Sequence, residues 1–258
     1  MNGVSLKIGL AIGIVLGANA PAWAHFQEII PSADVLPEGG SVTVDLVFTH
    51  PVEGGPVMEM AAPAQMGVLS GGEVTDLLPE LIEKPVDGKS AWTVTRDLAE
   101  PGASVFFVAP QPYWEPSEGK YIVHYSKVVV DSYASGEGWD EMVGLPVEIQ
   151  PLVRPTGLWT GNAFRGVVLK DGEPAPFAEI EVEFINNGSV TPPNDAFITQ
   201  VIKADASGTF SYTMPRAGWW GFAALLEGDT PMQSPEGAEV PVEQGALMWV
   251  KTTDMAGD

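Results

Sequence analysis

Three histidines are the only imidazoles in a chain of 258 residues that has no cysteine. His25 follows Ala22-Trp23-Ala24, His50 closes the segment VFTHPVEGG, and His124 sits inside YIVHYSKVVVD. Without thiols, cysteine-type zinc sites, thiol catalysis and lipid attachment through cysteine are excluded. Among soft donors, Met58, Met60 and Met66 offer thioethers that favour Cu(I), although methionine more often fills a core. Glu28 and Glu53 are carboxylates close to the histidines in sequence and could add an oxygen donor. On a strand, residues 25 and 28 differ in parity, so Glu28 is the weaker of the two.

What His25 can do depends on the residues before it. Lys7, an uncharged apolar run and an A-x-A end at 22–24 form the pattern of a secretory signal peptide. The run is short of the roughly 20 residues needed to span a bilayer. Cleavage after Ala24 makes His25 the first residue of the mature protein. Its free amine and its ring Nδ1 can then close a six-membered chelate ring on one metal ion. The amine titrates near about 7.7–8 and the imidazole near about 6.5, so a metal displaces few protons near neutrality. Imidazole-type nitrogen suits nickel, copper and zinc, and planar nitrogen-rich sets favour Cu(II) or Ni(II).

The elements that would hold these groups are strands. Twenty-nine Gly and 23 Pro punctuate short apolar segments along the whole chain, as expected of many strands joined by turns. SVTVDLVFTH (41–50) alternates, with Val42, Val44, Leu46 and Phe48 on one face, and parity puts His50 on that face at its end. AWTVTRDL (91–98) and SVFFVAP (104–110) follow. YIVHYSKVVVD (121–131) is apolar on both faces, which marks a central strand holding His124. Helical spacing is suggested only over 74–83, where Pro79 interrupts it.

Beyond a Pro-rich stretch at 151–155 the texture changes. FRGVVLKDGEPAPFAEIEVEFIN reads as strand, Asp-Gly turn and strand. ITQVIKADASGTFSYTMP reads as a second pair of strands joined through Asp205 to Gly208, and GWWGFAALL and ALMWVKTT complete the set. The expected architecture is all-β: a signal peptide over 1–24, then two β-sandwich domains of immunoglobulin- or transthyretin-like type in tandem, over 25–152 and 156–258. The second resembles the transthyretin-like or carboxypeptidase-regulatory-like modules, on GVVLKDGEPAPFAEIEV followed by KADASGTFSYTMP. That resemblance implies a fold and a scaffolding role.

Composition narrows the partners. Hydrophobic residues make up 45% of the chain, enough for a packed core, and the formal charge is −22. An acidic surface of this size argues against nucleic acid and anionic membranes as partners and gathers cations. No G-x-S-x-G turn, H-E-x-x-H pair or phosphate loop is present, so the expectation is a binding protein and not an enzyme.

AHFQEIIPS, DLVFTHPVEGGPVMEMAAP, YIVHYSKVVVD and the run from GLPVEIQPLVRPTG to GWWGF together resemble the DUF4198 family, periplasmic proteins associated with nickel or cobalt uptake. The resemblance runs along nearly all of the mature chain. It implies a periplasmic protein that binds Ni(II), or alternatively Co(II) or Cu(II), and hands it to a membrane importer, without itself inserting into the membrane. By position it assigns His25, His50 and His124 as the metal residues. Two other readings of the residues stay open: a metal-free structural or interaction module of the cell surface, and a copper oxygenase with an N-terminal His.

Overall fold

A computed structural model describes residues 25–256; the signal peptide expected over 1–24 lies outside them. The strands of three or more residues are β1 (Phe26–Pro31), β2 (Gly40–Thr49), β3 (Gln65–Ser70), β4 (Glu73–Asp76), β5 (Trp92–Leu98), β6 (Gly102–Ala109), β7 (Tyr113–Glu115) and β8 (Lys120–Ser132) in the first half. The second half contributes β9 (Val147–Pro151), β10 (Ala163–Lys170), β11 (Glu179–Phe184), β12 (Gln200–Lys203), β13 (Thr209–Thr213), β14 (Gly218–Glu227) and β15 (Val242–Thr253). The only helical turns among the described residues are 3-10 turns at Leu78–Glu80 and Asp195–Phe197. The helix suggested over 74–83 is instead β4, the first of those turns with Pro79 inside it, and a two-residue strand at Ile82–Glu83.

The all-β expectation is met, with sandwiches that share a wall. One large sheet runs β12-β11-β14-β15-β8-β6-β3-β4 and draws strands from both halves of the chain. Strand parity gives it two apolar faces. Leu247 and Trp249 of β15 enter one core, while Ala246, Met248 and Val250 enter the other. The first face is covered by the sheet β1-β2-β5, through Ile29, Val44, Leu46 and Val94. The second is covered by β9, β10 and β13, through Ile149, Phe164, Val168 and Phe210.

The halves meet where β8 runs parallel to β15 over eight residues, Tyr121↔Val242 to Val128↔Trp249. The Pro-rich stretch does fall between β9 and the strands that follow, yet β9 pairs across it with β10. The pair expected around Asp205–Gly208 is separated. β12 joins the central sheet through β11, and β13 joins the covering sheet through β10. The Asp-Gly turn is as expected: Asp171 and Gly172 both have positive φ, 51° and 80°, as a two-residue hairpin loop requires. Among the described residues no helix is long and apolar enough to cross a membrane.

A candidate metal centre

β1 lies antiparallel to β2, with Phe26 opposite Thr49. One further step along each strand sets His25 against His50. Their ring centroids are 4.7 Å apart at an interplanar angle of 54°, and the residues are buried, 8% and 4% exposed. Parity thus placed His50 correctly: it ends the inward face that begins at Val42.

Each of two histidines is held by a carboxylate. His25 Nε2 lies 3.0 Å from Glu115 Oε2 at the end of β7. The other oxygen of Glu115 accepts from the amide and the hydroxyl of Ser117, at 2.9 and 2.6 Å. Burial works against the charge on Glu115, but the Ser117 hydrogen bonds and then His25 bring its carboxyl below the usual range. Glu115 is therefore ionised near neutrality and accepts a proton-bearing Nε2. Phe48 and Tyr113 wall the pair, at 5.7 and 6.0 Å from the His25 ring. Burial and the Glu115 charge both raise the Tyr113 phenol.

His124 stands apart from that pair. Its ring meets Phe48 edge-on at 6.2 Å, and its Nε2 lies 3.2 Å from Glu243 Oε1. Lys120 binds the second oxygen of Glu243 at 2.6 Å. Burial opposes ionisation of Glu243, yet the hydrogen bonds and charges of His124 and Lys120 push its carboxyl down to about 2. The ring lies on Gly245, its neighbour in register, where a Cβ would fall 2.4 Å from Cδ2. His124 Nδ1 is buried without a hydrogen-bond partner. A cavity of about 220 Å³ adjoins it, walled by Phe48, Met60, Tyr113 and Trp114.

The other donors considered from the sequence lie elsewhere. Met58, Met60 and Met66 are buried in the first core, and Met60 Sδ accepts from the Gln27 amide at 3.4 Å. Glu53 is exposed. Glu28 faces away from the histidines, where burial and then Glu183 push its carboxyl up to about 8. Among the described residues, no three His, Cys, Asp or Glu side chains form a group that could hold an ion. The structure therefore pairs His25 with His50 and sets His124 with Glu243. Glu115 and Glu243 are not legible in the sequence because Glu115 reaches its histidine only across the packed sheets and Glu243 only through strand pairing, across 119 residues.

Fold and side chains together define an all-β sandwich protein with buried histidines braced by carboxylates. The chain belongs to the DUF4198 family, a domain of unknown function whose model matches residues 22–228. That span includes all three histidines and stops short of β15 and Glu243. No curated protein matches the sequence. Among solved structures the chain is similar to a two-domain fibronectin type III segment of chicken tenascin, at 11% identity over 89% of this chain and 100% of that one, with a TM-score of 0.24. It is also similar to the adhesin InvE of Yersinia pseudotuberculosis, at 12% identity over 85% of this chain and 58% of the adhesin, with a TM-score of 0.24. Tandem immunoglobulin domains of titin are similar at 12% identity over 90% of this chain and 97% of theirs, with a TM-score of 0.20.

Proposed function

We propose that the protein binds a divalent transition metal in the bacterial periplasm, Ni(II) foremost with Co(II) and Cu(II) as alternatives, and delivers it to a membrane importer. The observation that carries this is the buried His25–His50 pair, with ring centroids 4.7 Å apart. Two imidazoles on one ion, with metal–nitrogen bonds of about 2 Å, place their centroids roughly 4.5–6.3 Å apart depending on the angle. Once the leader is removed, the His25 amine joins the two rings, giving three nitrogens. The unpartnered Nδ1 of His124 would be a fourth only after a shift that brings it to the pair, since the Phe48 ring meets both His25 and His124. Nitrogen sets of this kind suit Ni(II) and Cu(II), and affinity for a given set rises towards copper.

The test is calorimetric titration of the secreted protein, its native N-terminus verified by intact mass, with Ni(II), Co(II) and Cu(II) in turn. One equivalent should bind, with much weaker uptake by His50→Ala. Absence of uptake of all three metals would leave the metal-free interaction module as the better description. Peroxide-driven oxidation of a polysaccharide by the copper-loaded protein would instead make it an enzyme.

A further inference from the structure

We infer that Glu115 selects the nitrogen with which His25 binds metal, acting as a positioning residue. It acts in this way only if His25 binds a metal as proposed above. The amine of an N-terminal histidine closes a six-membered ring with Nδ1 of its own side chain; Nε2, on the far edge of the ring, cannot reach the same ion. A histidine free to turn also offers Nε2, the nitrogen that would hold an ion without help from the amine. Glu115 removes that choice, since its Oε2 lies 3.0 Å from Nε2. A carboxylate on the distal N–H fixes the tautomer, presents Nδ1 as the lone-pair nitrogen and raises its basicity.

The carboxylate is itself held. Ser117 donates twice to its other oxygen, and the residue is 8% exposed. Residue 115 pairs with Lys120 across the β7–β8 hairpin, so the brace is anchored in the central sheet while His25 leads into the covering sheet. A carboxylate on Nε2 recurs at His124, where Glu243 takes that nitrogen. Two carboxylates from different strands thus turn two histidines the same way.

The experiment compares the secreted wild-type protein with Glu115→Ala, Glu115→Gln and Ser117→Ala, using Cu(II) alone as the probe, by competition titration and electron paramagnetic resonance. Glu115→Ala should lose about 10–100-fold in affinity, the usual cost of removing such a partner, and its spectrum should change as the chelate opens. Glu115→Gln retains an acceptor for Nε2–H; it should keep the wild-type spectrum and lose less affinity. Ser117→Ala, which only loosens the carboxylate, should fall between wild type and Glu115→Ala. If Glu115→Ala does not fold, the graded loss in the other two variants decides. Wild-type affinity and spectrum in every folded variant would overturn the role of Glu115 while leaving metal binding intact. No Cu(II) uptake by the wild-type protein would overturn the role of Glu115, and absence of Ni(II) and Co(II) uptake as well would overturn metal binding itself.

Discussion

Glu28, Glu181 and Glu183 are carboxyls that the folded chain holds in the wrong medium for charge. Burial is the largest cause for each. Glu28 is pushed up to about 8 with help from Glu183, Glu181 to about 8 with help from Glu243 and other glutamates, and Glu183 to about 7 despite hydrogen bonds from Thr199 and Val52. In the unfolded chain they release protons near about 4.3. Between those limits the native state binds more protons than the unfolded one, so stability falls as pH rises. Glu243, held near 2, works the other way: its contribution is present above about 4.3 and is lost as pH falls through 2. The metal-free protein should therefore melt highest near pH 5, several degrees lower at pH 8.5, and below pH 3 should fall from that maximum by less than it does at pH 8.5. A melting temperature that climbs steadily from pH 5 to 8.5 would contradict this. Of these residues only Glu28 drew notice from the sequence. A carboxylate signals its own burial only when the strands around it are known, which is also why Glu115 was missed.

At the scale of elements, β1 carries the site, because His25 is the residue before its first pair and β2 brings His50 up beside it. If His25 is the mature N-terminus and chelates metal as proposed, adding one residue ahead of it should abolish the amine chelate and weaken metal binding sharply, with an unchanged far-UV spectrum. Equal affinity in the extended protein would exclude the amine as a ligand. β15 carries the seat of His124. Gly245→Ala would drive a Cβ into Cδ2 and Nε2, at 2.4 and 2.8 Å, and overpacking of this kind costs about 1–3 kcal/mol. It should lower the melting temperature by about 2–10 °C. In a His124→Ala background the same change should cost much less, since the two substitutions share one contact. Additive losses would mean that the ring does not rest on Gly245. β2 and β8 were legible from the sequence because alternation and two-faced apolarity are local patterns. The partners of β12 and β13 were not, since a turn between two strands does not oblige them to pair with each other.

For the whole molecule, the shared central sheet decides how the protein unfolds. β15 comes from the end of the chain, yet its Trp249 lies in the core of the first sandwich, 5.9 Å from the Phe26 ring, and its indole N–H donates to the Gln27 carbonyl at 3.0 Å. The strand that places His25 therefore rests on residues more than two hundred positions away. The stretch at 151–155 is tied down as well. Pro151 pairs with Gly166, and the Leu152 amide donates to the Arg165 carbonyl at 2.8 Å. Apolar faces of this size are stable only when covered. A chain cut there would expose one face of β8 along the edge where β15 had been, and a fragment of residues 25–152 would lose Leu247 and Trp249 from its core. Denaturation of the full chain should give a single transition, with tryptophan fluorescence and far-UV ellipticity coinciding. The isolated fragments 25–152 and 156–258 should lack cooperative melts. Protease nicking at 151–155 should leave both pieces associated until denaturant is added. Two resolved transitions, or a 25–152 fragment that melts cooperatively on its own, would show that the halves fold as independent domains and that the central sheet is only their meeting surface.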